Sequence, residues 1–153
     1  RTQGFWQTHT AYTTSIFNAN PLFVGVNTPV GISTHKGILT TTGQLFGAFY
    51  SSIPKKTDGS QRSAIDKARM QLLQQLVAAK LNCAAFGCAA SVQTMITAAD
   101  AAYAGTSASA ILASASLLDG YNNSGDTIII GNAGKATPKT SQSLADKVFW
   151  NLP

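Results

Sequence analysis

Between Ser63 and Asn82 the apolar residues recur at steps of three and four, which is the repeat of one face of an α-helix. Ser63 and Asp66 stand where a hydroxyl and a carboxylate satisfy the unpaired amides of a first helical turn. The apolar stripe is broad, and its members are Ile65, Ala68, Leu72, Leu73, Leu76, Val77, Ala79 and Leu81. Such a face has to be covered by other elements, so we expect a central core helix at about residues 63–82.

Shorter helices are predicted on both sides of this central helix. Residues 4–17 and 39–53 carry aromatic side chains at helical spacing, and residues 141–150 end the chain with a similar short pattern. Ser91 and Ser107 are placed to cap two alanine-rich helices, whose small side chains allow close helix-to-helix approach. The sequence therefore predicts a mainly α fold, a compact helical bundle around the central helix.

A minor β element is expected at about residues 22–26 and 127–130. The first segment is LFVGV and the second is TIII, and each lies among glycine-rich turn residues. We expect the two to pair. Residues 119–126, which precede the second segment, have the composition of a turn-forming loop.

The chain has few charged residues, and this restricts its partners. Only 11% of its 153 residues are charged, against about 25% in ordinary soluble proteins. The net charge of +5 comes from 11 Lys and Arg against six Asp, but the longest basic run is Lys55-Lys56. Nucleic-acid binders cluster their basic residues on one face, so nucleic acid is not an expected partner. The turn at residues 55–61 is interpreted as a solvated loop.

One extracellular domain over residues 1–153 fits the length and the uncharged, hydroxyl-rich character of the surface. No segment reaches the roughly 18 to 20 continuous apolar residues that a membrane span requires. The longest apolar runs are interrupted by Lys80, Asn82 and Gln93. We therefore expect a chain with no membrane span.

Cys83 and Cys88 are the two cysteines of the chain. Their spacing does not fit a thioredoxin-like pair, and a zinc site would need further Cys or His nearby. A local disulfide across the end of the central helix is the favoured interpretation for an exported protein. The alternative is a pair of buried free thiols.

Three segments, taken in order, resemble a family of exported bacterial and archaeal surface modules. Residues 2–9 (TQGFWQTH), 75–82 (QLVAAKLN) and 117–123 (LLDGYNN) are similar to its TQGYWKTH, LLAAKLN and LDxYNNG blocks, and residues 96–101 resemble its intervening helix. The resemblance implies an extracellular location, often within large surface or matrix proteins, and no established catalytic residues. Gln7 and Ser124 depart from the family pattern, and residues 127–153 form an extension without a counterpart.

Trp6 and His9 are three residues apart and would share a helix face. One interpretation is a ligand-binding pair in which an aromatic plane and an imidazole contact a ligand. The other is a buried tryptophan that anchors the first turn, with His9 hydrogen-bonded to backbone. Both interpretations are open from the sequence.

Four oxygen-bearing side chains in one glycine-containing stretch form a candidate metal site: Asp119, Asn122, Asn123 and Asp126. Carboxylate and amide oxygens are the ligands that calcium prefers, although the spacing is not that of an EF-hand. The alternative is an Asx-rich turn that caps the preceding helix. No other cofactor is expected.

Catalysis has little support in the sequence, which has no Glu and only His9 and His35 as histidines. No Gly-x-Ser-x-Gly elbow and no phosphate-cradling glycine loop occurs. The leading expectation is a non-enzymatic extracellular structural or interaction module that self-assembles as a homo-oligomer or a surface filament. The partners would then be further copies and cell-surface or matrix components. The alternatives are a glycan-binding or calcium-dependent adhesion module and a secreted hydrolase.

Overall fold

A computed structural model describes residues 1–20, 22–25 and 38–153, and within these ranges the protein is mainly helical. The described α-helices are α1 (Gln3–Thr8), α2 (Thr10–Ala19), α3 (Thr42–Tyr50), α4 (Ala64–Phe86), α5 (Ala90–Ala104), α6 (Ala108–Ser124) and α7 (Pro138–Leu144). A 3₁₀ helix follows at Val148–Asn151. Two short strands, β1 (Leu22–Phe23) and β2 (Ile38–Leu39), complete the described elements. The predicted class, mainly α with a minor β element, is confirmed.

The helix α4 lies at the centre of the bundle, as its apolar stripe predicts. It packs against α1, α2, α3, α5 and α6, and its side chains Leu72, Leu73, Leu76 and Leu81 are completely buried. The Ser63 hydroxyl caps it by accepting from the Asp66 N–H at 3.1 Å. The Asp66 carboxylate turns instead to Arg69, 2.9 Å away. The predicted capping box is therefore only half formed.

The end of α4 lies beyond its predicted limit at Asn82. Helical hydrogen bonding continues to Phe86 and ends at Gly87, whose φ of +71° is a conformation that glycine adopts easily. The Gly87 N–H donates to the carbonyl of Cys83 at 2.9 Å. Cys83 and Cys88 are joined by a disulfide across this helix end, so the predicted disulfide is confirmed.

Of the two serines predicted to cap the alanine-rich helices, only one does so. Ser107 caps α6, because its hydroxyl accepts from the N–H of Ala110 at 3.3 Å. The prediction for Ser91 was wrong: the N-cap of α5 is Ala89, two residues earlier, and Ala89 makes no side-chain cap hydrogen bond. The helices α5 and α6 pack against each other, and each buries an alanine, Ala99 in α5 and Ala115 in α6.

The predicted strand at residues 127–130 was wrong, because β1 pairs with a different segment. Leu22 lies opposite Leu39, and Phe23 lies opposite Ile38, in an antiparallel ladder. Residues 127–130 instead leave α6 through turns, in which the Ile128 N–H donates to Gly125. An apolar β-branched run forms a strand only where an edge is available to pair with. Val26, in the first predicted segment, lies outside the described residues.

The predicted loop at residues 119–126 is mostly helix, since α6 continues to Ser124. The side-chain N–H of Asn123 donates to the carbonyl of Asp119 one turn earlier, at 2.9 Å. The turn residues therefore hydrogen-bond within the helix. At the C-terminus, the predicted helix over residues 141–150 is divided into α7 and the 3₁₀ helix.

The C-terminal segment packs directly on the backbone of α3. A β-carbon added to Gly47 would lie 2.2 Å from the carbonyl oxygen of Asp146. The Trp150 indole, completely buried, donates to the carbonyl of Gln44 at 2.7 Å. Within residues 1–20, 22–25 and 38–153, no helix combines the length and hydropathy needed to cross a membrane.

Candidate functional site

Trp6 lies in the interior of the bundle. Its side chain has no exposed surface, and its ring stacks on Tyr12 with centroids 5.6 Å apart. The indole N–H donates to the side-chain oxygen of Asn82 at 3.0 Å. The indole therefore presents no face to a ligand, and the alternative of a buried anchor describes this position.

A chain of buried amides continues from Trp6 through α4 to α6. The Asn82 amide donates to the Asn122 side-chain oxygen at 2.9 Å. Asn122 is completely buried. Its side-chain N–H group donates to the side-chain oxygen of Gln75 at 2.8 Å and to the backbone oxygen of Gln75 at 3.0 Å. Buried amides are stable only when paired, so each of these residues holds the others in place. Trp6, Asn82 and Asn122 come from the three segments of the family resemblance, which meet here.

His9 lies at the junction of α1 and α2. Its Nδ1 is 2.9 Å from the carbonyl oxygen of Phe5, and its ring stacks on the Phe5 ring at 4.1 Å. The imidazole is only partly buried, whereas the indole of Trp6 is completely buried. The two side chains therefore do not form one open surface. His35 lies outside the described residues.

The four candidate calcium ligands have three different sets of partners. The Asn122 oxygen accepts from Asn82 inside the core, whereas Asn123 donates to the Asp119 carboxylate on the surface at 3.1 Å. Asp126 lies 3.7 Å from the Arg1 guanidinium. The oxygens of Asn122, Asp119 and Asp126 thus have different partners within the protein. Among the described residues no group of three His, Cys, Asp or Glu is arranged to hold a metal ion.

A mostly apolar cavity of about 210 Å³ lies at the C-terminal end of α4. Phe86 forms one wall, and its ring is half exposed although it also contacts Trp6, with centroids 6.2 Å apart. The residues that line the cavity are Arg1, Asn82, Phe86, Tyr121, Ser124, Gly125, Ile128 and Ile130. No local sequence pattern marks this cavity, because its walls come from three distant parts of the chain.

Ile129 projects into solvent between two isoleucines of this cavity wall. It is 90% exposed, and Ile128 beside it is 65% exposed. We call Phe86, Tyr121, Ile128, Ile129 and Ile130 the isoleucine patch. Large apolar side chains grouped in this way on a surface are typical of a binding interface.

Arg1 and Asp126 lie at the border of the isoleucine patch. The Arg1 guanidinium donates to the backbone carbonyl of Asp126 and lies over the Phe5 ring, 4.6 Å from its centroid. The Asp126 carboxylate also accepts from the Thr2 hydroxyl at 3.3 Å. The patch therefore carries one cation and one anion next to its apolar surface.

A partly buried ion pair connects α4, α5 and the segment that carries β1. Lys80 Nζ lies 2.8 Å from the Asp100 carboxylate and 4.1 Å from the centroid of the Phe23 ring. The backbone N–H of Gly25 donates to the same carboxylate at 2.8 Å. Burial lowers the pKa of Lys80 and raises the pKa of Asp100, and the attraction between the two charges opposes both shifts. The pair thus fixes residues 22–25 against the bundle.

No match is found when the chain is compared with protein-family models, with curated proteins and with solved structures. The resemblance drawn from the three sequence segments therefore remains a prediction.

Proposed function

We propose that this chain is a non-enzymatic extracellular structural module that self-associates through the isoleucine patch. The observation that carries the proposal is the exposure of Ile129, at 90%, beside an apolar cavity of about 210 Å³. Leaving a large apolar side chain in water has a free-energy cost that burial at an interface removes, by about 1.5–3 kcal/mol when burial is complete.

The proposed partner at the isoleucine patch is a second copy of the chain, because the projecting Ile129 and the apolar cavity both belong to this patch. Two copies related by a twofold axis would each place Ile129 against the cavity of the other, between Phe86 and Ile128. Such a self-complementary contact closes into a dimer and does not propagate. A surface filament would need an additional contact elsewhere on the molecule.

The charges at the edge of the isoleucine patch favour the same arrangement. Arg1 and Asp126 have side chains that are 20% and 49% exposed, so both are accessible at its border. Across a twofold axis, the cation of one copy would face the anion of the other. Opposite charges placed in this way fix the orientation of two partners more than they increase affinity.

An extracellular location is part of the proposal. The disulfide between Cys83 and Cys88 is compatible with an oxidising compartment. The small share of charged residues, 11%, suits a surface that is partly covered by other molecules.

Sedimentation equilibrium over a wide range of protein concentrations tests self-association. The mean mass of the native chain is expected to rise from 16.0 kDa towards twice that value. Ile129→Lys is expected to keep the chain monomeric, because it places a charge in the apolar contact. Val148→Lys is the matched control, since Val148 is 67% exposed and lies outside the patch, and it is expected to behave as the native chain.

Circular dichroism of both variants establishes that they are folded. A native chain that stays at 16.0 kDa at every concentration would exclude the proposal. Equal dissociation by the two substitutions would place the interface away from the isoleucine patch.

A further inference from the structure

A second cavity, lined by basic residues, lies near the N-terminal end of α4. Its volume is about 160 Å³, and its walls are Tyr50, Ser51, Ser52, Lys55, Lys56, Thr57, Arg62 and Lys147. Four of the chain's 11 Lys and Arg residues meet here. No acidic side chain of the described residues lines it. We call it the basic cavity.

Arg62 is a buried cation of the basic cavity without a carboxylate partner in the described part of the chain. It is only 4% exposed, and its hydrogen bonds within the described part of the chain go to backbone carbonyls: Nε to Ser52 at 3.0 Å and Nη1 to Trp150 at 2.6 Å and Asn151 at 3.4 Å. Carbonyl oxygens orient a guanidinium but do not neutralise its charge. A buried charge is unfavourable unless an opposite charge compensates it.

The acidic residues nearest to Arg62 in the chain are engaged elsewhere. Burial lowers the pKa of Arg62, and the attraction of Asp66 opposes this lowering only in part. The Asp66 carboxylate is in contact with Arg69 at 2.9 Å. Asp58 accepts from the hydroxyl and the N–H of Ser60 at 2.6 and 2.9 Å. Neither of them lines the basic cavity.

Ser51 adds an unused hydroxyl to the wall of the basic cavity. Its side chain is 4% exposed, and its Oγ has no hydrogen-bond partner among residues 1–20, 22–25 and 38–153. Buried hydroxyls are nearly always paired, so an unpaired one beside a group of cations indicates a place for an acceptor. An anion would supply both the acceptor and the missing negative charge.

The walls of the basic cavity are held in place by the protein's own hydrogen bonds. Asn151, in the 3₁₀ helix, accepts from the Thr57 N–H at 2.9 Å and donates to the Thr57 hydroxyl at 2.7 Å. Lys55 and Gln61 form a backbone bridge across the turn between them. The cationic residues are therefore presented by a preformed frame, which lowers the entropic cost of binding.

We propose that the basic cavity binds a phosphate or sulfate group. The four cationic side chains carry more positive charge than one carboxylate could balance. A phosphate ester carries about −1.5 to −2 charges at pH 7 and three acceptor oxygens, so it balances more of this charge. Arg62 supplies fixed planar donors at the base, and the lysines supply mobile charges at the rim. The ligand class is an oxyanion of this type on a small molecule or a polymer.

Isothermal titration calorimetry with sodium phosphate, sodium sulfate and sodium acetate, at constant ionic strength set by chloride, tests the assignment. Saturable heat is expected for phosphate, for sulfate or for both, and the stronger of the two identifies the ester class. Acetate is expected to bind at least about tenfold more weakly, because it carries a single charge and two oxygens. Acetate binding as strong as that of the better dianion would overturn the assignment.

Substitution of Arg62 risks unfolding, because this residue fixes Ser52 and Trp150, so the variants remove lysines. Lys56→Ala/Lys147→Ala is expected to weaken binding by about tenfold or more. Lys135→Ala/Lys139→Ala is the control, since it removes two exposed cations outside the basic cavity and changes the net charge equally. Ser51→Ala is expected to weaken binding several-fold without any change of charge.

Two results would overturn the proposal. One is the lack of saturable heat with both phosphate and sulfate. The other is equal weakening by the two double variants, since this would mean that the anion responds to the net charge of the chain and not to the basic cavity.

Discussion

The indole N–H of Trp6 donates to the side-chain oxygen of Asn82 across 3.0 Å, and this bond joins α1 to α4 over 76 residues of chain. Asn82 also donates to the side-chain oxygen of Asn122, so the hydrogen-bond network continues to α6. Three helices distant in the sequence thus share one buried polar network. Polar groups in such a network specify a single arrangement of the helices, because a shifted helix would leave them unpaired.

Asn122→Leu is expected to lower the free energy of unfolding by about 2–4 kcal/mol, since it removes the buried acceptor of one Asn82 amide N–H and the donor to both oxygens of Gln75. Asn123→Leu, one residue further along, is expected to cost about 0.5 kcal/mol or less because Asn123 is exposed. Urea denaturation of both variants measures the difference. Equal losses would show that the network does not contribute specifically.

Asp100→Asn is expected to destabilise the protein by about 3–5 kcal/mol, because it leaves the largely buried Lys80 without its counter-charge. The double variant Lys80→Met/Asp100→Leu is expected to regain most of this loss, since no unpaired charge remains. Denaturation of the native chain, the single variants Lys80→Met and Asp100→Leu, and the double variant completes the cycle. Additive losses would mean that the two side chains do not interact.

Gly47→Ala is expected to cost about 1–3 kcal/mol or more, because its β-carbon would meet the Asp146 carbonyl at 2.2 Å and displace the C-terminal segment. Gly120→Ala, in α6, is the control. No atom lies within 4 Å of the added methyl group there, so the substitution is expected to stabilise the helix by about 0.5–1 kcal/mol. Thermal denaturation should therefore move in opposite directions for the two variants.

Removal of the disulfide through Cys83→Ser/Cys88→Ser is expected to lower stability by only about 2 kcal/mol, because the bond closes a short loop. The effect should be local. Hydrogen exchange is expected to accelerate at the last turn of α4, where the Gly87 N–H donates to Cys83, and to remain unchanged near Ser63. Uniform acceleration along α4 would contradict this expectation.

The centre of the fold is predictable from local pattern, because the apolar stripe over residues 63–82 requires burial on several sides. The residues at which helices and strands begin and end are less predictable from local pattern. Phe86 continues α4 because nothing before Gly87 stops the helix, and residues 119–124 remain helical although their composition favours a turn. The strand predicted at residues 127–130 failed because Ile38 and Leu39 take the edge of β1, a competition that only the tertiary structure reveals.

The two cavities could not be predicted, because each is assembled from residues far apart in the chain. Lys55-Lys56 is visible as a basic pair, and alone it is typical of a solvated turn. Arg62 and Lys147 join it only when the 3₁₀ helix packs beside the turn. Trp6 was predicted either to bind a ligand or to anchor the first turn, and its indole is buried and bonded to Asn82.

The helix α4 places the two cavities at opposite ends of one rigid rod. Its 23 residues span about 35 Å at 1.5 Å per residue, with Arg62 just before the first turn and Phe86 in the last. An anion held at one end and a protein partner at the other would never touch. The molecule would then serve as a spacer of fixed length, and its reach would be set by the number of turns between Ser63 and Gly87.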